Sequence, residues 1–155
     1  MGLRAARPSR GRLASFTSAV GNGADITEDV LQTFSLPAST LGSVGQAVRI
    51  LASGTLANNA NTKTVKAYFG AVVYSSGGVA TANVNWAVEL IVIKTGSNTQ
   101  IVFGWMQLGA TPIAVFHAAG AETDTGAITI KVTGQSSVAT ANTITCDAGT
   151  VESLS

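Results

Sequence analysis

Apolar and polar residues alternate with a period of two along most of the chain beyond residue 29, the spacing of strands that bury one face. Over residues 46–57, Val48, Ile50, Ala52 and Leu56 form an apolar side, while Arg49, Ser53 and Thr55 point the other way. Residues 63–74, taken as one run, place Val65, Ala67, Phe69, Ala71 and Val73 on one side and Lys66, Tyr68 and Tyr74 on the other. Residues 83–95 set Trp86, Val88, Leu90 and Val92 against Ala87 and Glu89. The end of that run, with Ile91 and Ile93, is apolar on both sides, as in a strand covered twice. Residues 99–108 bring Ile101, Phe103 and Trp105 to one face, and residues 127–133 set Ile128, Ile130 and Val132 against Thr129, Lys131 and Thr133. Residues 142–154 open with Ile144 and Cys146 opposite Thr143, Thr145 and Asp147.

The stretches between these runs carry turn chemistry. Asn58-Asn59-Ala60-Asn61, Ser75-Ser76-Gly77-Gly78, Thr95-Gly96-Ser97-Asn98 and Gly134-Gln135-Ser136-Ser137 supply residues that tolerate positive φ. Pro37 and Pro112 fall at strand starts or in connectors, where a missing N–H costs least. The one helix-like hint is residues 24–31, a single turn before the first strand. About eight strands with short turns predict an all-β fold, an antiparallel β-sandwich, and the jelly roll is its commonest eight-stranded form. The expected organisation is an irregular arm over residues 1–25 and a jelly-roll domain over residues 26–155.

Composition sharpens this picture. Hydrophobic residues make up 46% of the chain and charged residues 11%, against about 25% charged in an average soluble domain. That excludes a disordered polyelectrolyte and a Glu- and Lys-rich coiled coil, and the single Cys146 excludes a disulfide scaffold. So few charges leave a lone protomer poorly suited to high solubility, a problem that burial between copies resolves.

Charge is unevenly spread. Arg4, Arg7, Arg10 and Arg12 precede the first acid, Asp25, and residues 13–155 carry five basic against eight acidic side chains, a balance of −3. Ser15, Thr17 and Ser18 interrupt the apolar run that a secretory signal needs, and Ala6 stands where N-myristoylation needs Ser or Thr. The Arg-rich start matches a transit peptide in composition, but nothing later supports an organellar enzyme. The arm is either a solvated tail or a tether whose guanidinium groups bind carboxylates or phosphates bidentately. Protein docking is the better expectation than nucleic acid, because the body offers no basic patch to extend the contact. Nothing points to a membrane.

Catalytic signals are sparse. His117 stands alone, so two-His metal sites are excluded, and it reads as a strand-end residue. Glu122 and Asp124 could begin a calcium loop but lack repeated acidic spacing, which favours a solvated turn. There is no Gly-x-Ser-x-Gly elbow and no Gly-rich loop with a lysine for phosphate. No enzyme and no cofactor is expected. Trp86, Trp105, Phe69 and Phe103 could line a sugar-binding face, but their spacing within strands suits a sandwich core better. Tyr68 and Tyr74 are the candidates for a subunit contact, and Cys146 reads as a small buried hydrophobe in a reducing compartment.

Three stretches carry a likeness. They are Leu36-Pro37-Ala38-Ser39-Thr40-Leu41 leading to Gly54-Thr55-Leu56-Ala57-Asn58-Asn59-Ala60-Asn61-Thr62-Lys63-Thr64-Val65-Lys66-Ala67-Tyr68-Phe69-Gly70; then Trp86-Ala87-Val88-Glu89-Leu90; then Thr129-Ile130-Lys131-Val132-Thr133-Gly134-Gln135 with Ala141-Asn142-Thr143-Ile144-Thr145. Over about residues 30–153 the chain resembles small β-structured virion proteins of tailed bacteriophages, which serve as capsid decoration (cement) proteins or tail-fibre and spike tips. The resemblance implies a jelly roll, assembly as a homotrimer, and no catalytic residues. With only about 25 irregular residues ahead of the body, a knob fastened to a shell fits better than a fibre with its shaft. The expectation is a cement protein made in the bacterial host cytoplasm and seated on the outer capsid surface. Its arm (Arg4, Arg7, Arg10, Arg12) would bind the major capsid protein. A receptor-binding tip of a tail fibre, spike or head fibre is the second reading. A jelly-roll enzyme or carbohydrate-binding module is the third.

Overall fold

The structure, a computed structural model, describes residues 11–154. Twelve strands follow in chain order: β1 (Gly11–Phe16), β2 (Val20–Gly21), β3 (Asp29–Leu36), β4 (Ala47–Leu56), β5 (Lys63–Phe69), β6 (Val72–Ser75), β7 (Val84–Gly96), β8 (Thr99–Leu108), β9 (Thr111–Pro112), β10 (Phe116–Gly120), β11 (Ile128–Ser136) and β12 (Ile144–Ser153). No helix occurs among the described residues, and the turn expected over residues 24–31 is a bend running into β3.

Every pairing is antiparallel. One sheet runs β1-β12-β4-β7-β8-β10, with β2 on β12 and β9 on β8; the other runs β3-β11-β5-β6. The segments β1-β12-β4-β7 and β3-β11-β5-β6 have the strand order of a jelly roll, and β8 and β10 widen the first sheet beyond it. The expected fold class is thus present, with twelve strands in place of about eight.

Alternation explains the core. Trp86, Val88, Leu90 and Val92 of β7, the even positions of β4, and Ile128, Ile130 and Val132 of β11 all turn inward and are buried. Each large side chain so buried contributes roughly 1.5–3 kcal/mol.

Three expectations need correction. The arm was to extend to residue 25, but Gly11–Phe16 pairs with β12 from Gly11↔Ser153 to Phe16↔Gly149 and supplies the first jelly-roll strand. Leu13, Ala14 and Phe16 pack against the core, which gives this stretch apolar contacts that its composition hides. Asn22 then ties the entry to the body: its side chain accepts from the Ile144 N–H and donates to the Thr140 carbonyl.

Residues 63–74 are a hairpin and not one strand. Phe69 pairs with Val72 across the two-residue loop Gly70-Ala71, and Gly70 has φ 55°, the positive value that such a tight hairpin takes from glycine. The turn reverses the parity, so Tyr74 shares the inner face with Ala67 and Phe69, while Val73 is exposed. In β8, Val102, Met106 and Leu108 face the core, and Ile101, Phe103 and Trp105 face outward. Both faces of β8 are apolar, so its pattern could not choose; the register with β7, Glu89↔Trp105 and Ile91↔Phe103, did.

Candidate functional site

The outer face of the large sheet is where unengaged chemistry collects. Cross-strand register lays its side chains out in rows. One row runs Arg12, Glu152, Arg49, Ile91, Phe103, His117; the next runs Ser15, Thr150, Leu51, Glu89, Trp105. Beyond these, Ala148, Ser53, Ala87 and Gln107 form a row of mostly small side chains, followed by Thr145, Thr55 and Asn85.

The face therefore has two ends. Toward one, Ile91, Ile93, Ile101 and Phe103 make a half-buried aliphatic and aromatic band that no described segment covers. Between the ends lies an ionic clasp: Arg49 holds Glu89 at 2.7 Å and reaches Glu152 at 4.0 Å. The hydrogen bond to Glu89 raises the Arg49 pKa above its ordinary value.

At the other end the small row becomes a groove of about 460 Å³. Trp105, 43% exposed, forms one wall, and Asn85, Gln107, Thr55 and Asp147 stand around a floor of Ser53, Gly54 and Ala87. Asp147 reaches it through a β-bulge: Cys146 pairs with Gly54 and Ala148 with Ser53, leaving Asp147 as the extra residue. Gln107 donates to the Gly109 carbonyl at 2.9 Å, which fixes its amide. Thr55 and Thr145 share a hydroxyl hydrogen bond of 2.7 Å, and Trp86, buried beneath, donates its indole N–H to the Thr145 carbonyl at 2.9 Å.

The structure spreads the sequence-derived site residues apart. Arg4, Arg7 and Arg10 lie outside the described residues. Arg12 is exposed on β1 beside Glu152, so it belongs to a strand and not to an arm. Tyr74 is no surface contact: it is 3% exposed, stacks on Phe116 with ring centroids 4.8 Å apart, and donates its hydroxyl to the Ala114 carbonyl at 2.7 Å. Tyr68 does lie on the outer face of the small sheet, but half-buried and engaged within the chain. Its hydroxyl donates to Glu28, and Lys131 sits 4.4 Å above its ring.

Glu28 is the centre of that cluster, also accepting from Lys66 and from the Thr133 hydroxyl at 2.7 Å. Burial raises its pKa, but the hydrogen bonds from Lys66, Tyr68 and Thr133 outweigh this and hold it at about 2. Glu122 and Asp124 are likewise structural. Asp124 is buried, where a solvated turn was expected, and pairs with Lys94 at 2.6 Å. It also accepts from the Asn98 N–H at 2.7 Å and the Gln100 amide at 2.8 Å. Lys94 holds its carboxyl below the usual range. His117 is exposed on β10, where it pairs with Phe103, one residue into the strand. Cys146 is buried, and desolvation pushes its thiol up to about 12, far from a reactive thiolate.

Among the described residues no group of three or more His, Cys, Asp or Glu could hold a metal ion, and no helix is long and apolar enough to cross a membrane.

No family model and no curated protein matches the chain. Among solved structures it is similar to the CBM2 module of the evolved Dit of Lactobacillus casei BL23 phage J-1. The TM-score is 0.42 and the identity 7%, over 77% of this chain and 67% of that one.

Proposed function

We propose that the chain is a structural protein of a tailed-bacteriophage virion, a trimeric capsid decoration protein that ties capsomers together from the outer surface of the head. The observation that carries this reading is the half-buried band of Ile91, Ile93, Ile101 and Phe103, which no described segment covers, on a protein with 11% charged residues. In a closed threefold assembly the same apolar face of each copy turns toward the axis and is withdrawn from water there. The likeness of residues 30–153 to phage virion proteins supports the same assignment, as does the jelly roll.

The docking element is the basic leader, with the major capsid protein as partner. Because Arg12 is bound into β1, the docking role falls to Arg4, Arg7 and Arg10, which precede Gly11 in the sequence. Three such leaders per trimer gain avidity from modest contacts to acidic capsid surface. The role requires no catalysis, in keeping with Asp124 and Glu28 being consumed by contacts within the fold.

The test is the copy number in purified particles, measured by mass spectrometry. Hundreds per virion fit a cement protein; a few per virion would replace this reading with the receptor-binding tip, which the groove beside Trp105 favours. Substituting Arg4, Arg7 and Arg10 by Ala should release the protein from capsids while trimers persist. Saturation of bare shells by that variant would show that the leader is not the anchor. Deleting residues 1–24 is not an equivalent test, because it removes β1, β2 and the Asn22 tie.

A further inference from the structure

The groove at the Trp105 end of the large sheet combines two kinds of surface that rarely meet by accident. A flat indole face stands 43% exposed at its rim, although the same sheet buries its other tryptophan, Trp86, to 1%. Around the floor, the side chains of Asn85, Asp147 and Ser53 make no hydrogen bond or ion pair within the described residues, and Gln107 keeps its carbonyl oxygen unused. The depression itself is built by sequence: Ser53 and Ala87 are small where the adjoining row carries Leu51, Glu89 and Trp105. The bulge at Asp147 adds a carboxylate that a regular strand would have placed elsewhere.

We propose that this groove is a binding site for a neutral saccharide. A pyranose ring offers an apolar C–H face edged by hydroxyls, which matches an aromatic plate flanked by a carboxylate and two amides. A few placed polar groups around an apolar contact are the usual makeup of a small-ligand site. Asp147 accepts from two vicinal hydroxyls, Asn85 and Gln107 exchange hydrogen bonds with others, and Trp105 stacks on the ring.

The alternatives fit less well. Asp147 is the one ionic side chain lining the groove beside Trp105, so a phosphate placed there meets a like charge, and Arg12 lines only the adjoining depression. The groove crosses the strands in the middle of the sheet, where no free strand edge exists for a peptide to extend. A second depression of about 270 Å³ adjoins it through Ser53, with Phe16 and Arg12 in its lining. Together they span β8 to β1, about 19 Å at the usual strand spacing, which suits an oligosaccharide better than a single sugar.

The inference does not depend on where in a virion the protein sits. Its test is calorimetric titration of the full chain with maltohexaose, cellohexaose, chitohexaose and a mannohexaose. Heparin and single-stranded oligo-dT serve as anionic controls, and tryptophan fluorescence is followed in parallel. At least one neutral hexasaccharide should bind and shift the emission of Trp105. Trp105→Ala should weaken it tenfold or more and Asp147→Asn several-fold, with unfolding midpoints unchanged, whereas Trp105→Phe keeps a stacking plate and stays within a few-fold of the original. No binding by all four at millimolar concentration would overturn the proposal. So would binding that survives Trp105→Ala, or a response confined to the anionic polymers.

Discussion

The outer faces of the two sheets handle their polar groups in opposite ways. On the small sheet, Glu28 draws Lys66, Tyr68 and Thr133 onto one carboxylate, and Lys131 closes over the Tyr68 ring. Its donors and acceptors answer one another, and little is left for a partner. On the outer face of the large sheet the Arg49 clasp is the only ion pairing among the described residues, while Asn85 and Asp147 stay unengaged and Trp105 and the isoleucine band are left open. A face that satisfies itself serves the fold; a face that does not is available to something outside the chain. The low charge of the protein is thus concentrated in its consequences on one side.

The sharpest way to break this comparison is an oligomer test. Phe103→Glu places a charge in the aliphatic band and should convert the proposed trimer to monomers by light scattering, with the folded circular-dichroism signal retained. An unchanged mass would mean that the open face is not the shared one. Glu28→Ala should be the costliest change on the closed face, about 2 kcal/mol in urea unfolding, because three donors, the buried Thr133 among them, lose one acceptor. A loss below about 0.5 kcal/mol would put that face on a par with an ordinary surface.

Acid should dissect the same cluster. Glu28 is depressed from 4.5 to about 2, so its contribution is complete above pH 4.5 and disappears as the pH falls through 2. With its side chain about a quarter exposed (26%), the expected loss is about 1–2 kcal/mol. That increment should be missing from the pH profile of Glu28→Gln, and an identical profile would show that another carboxylate, such as Asp124, governs the acid limb. The smallest effect belongs to Trp105→Ala, within about 1 kcal/mol of the parent in the same unfolding assay, against about 3–5 kcal/mol for Trp86→Ala. Equal losses for the two tryptophans would mean that Trp105 is core after all.

Much of the candidate site was hidden from the sequence. Trp105 and Phe103 stood out as aromatics, but their spacing favoured a core, and only pairing with β7 turned them to the outside. Asp147 gave no signal, because a bulge has no signature in alternation; it appears only once Cys146 and Ala148 are found against Gly54 and Ser53. The tyrosine contacts were assigned by carrying one parity through residues 63–74, which the Gly70 turn breaks.

The chain's alternating pattern alone determined that this protein is an antiparallel sandwich, and which residues of β4, β7 and β11 travel together. Those strands have one clearly apolar side, and burial leaves such a side a single choice. What tertiary structure decided is which side of β8 is covered, where Tyr74 points, and that Gly11–Phe16 is a strand at all. A period of two sorts residues into two sets without naming the inner one. Where both sets are apolar, or where a bulge breaks the alternation of a short strand, only the register with the neighbouring strand can choose.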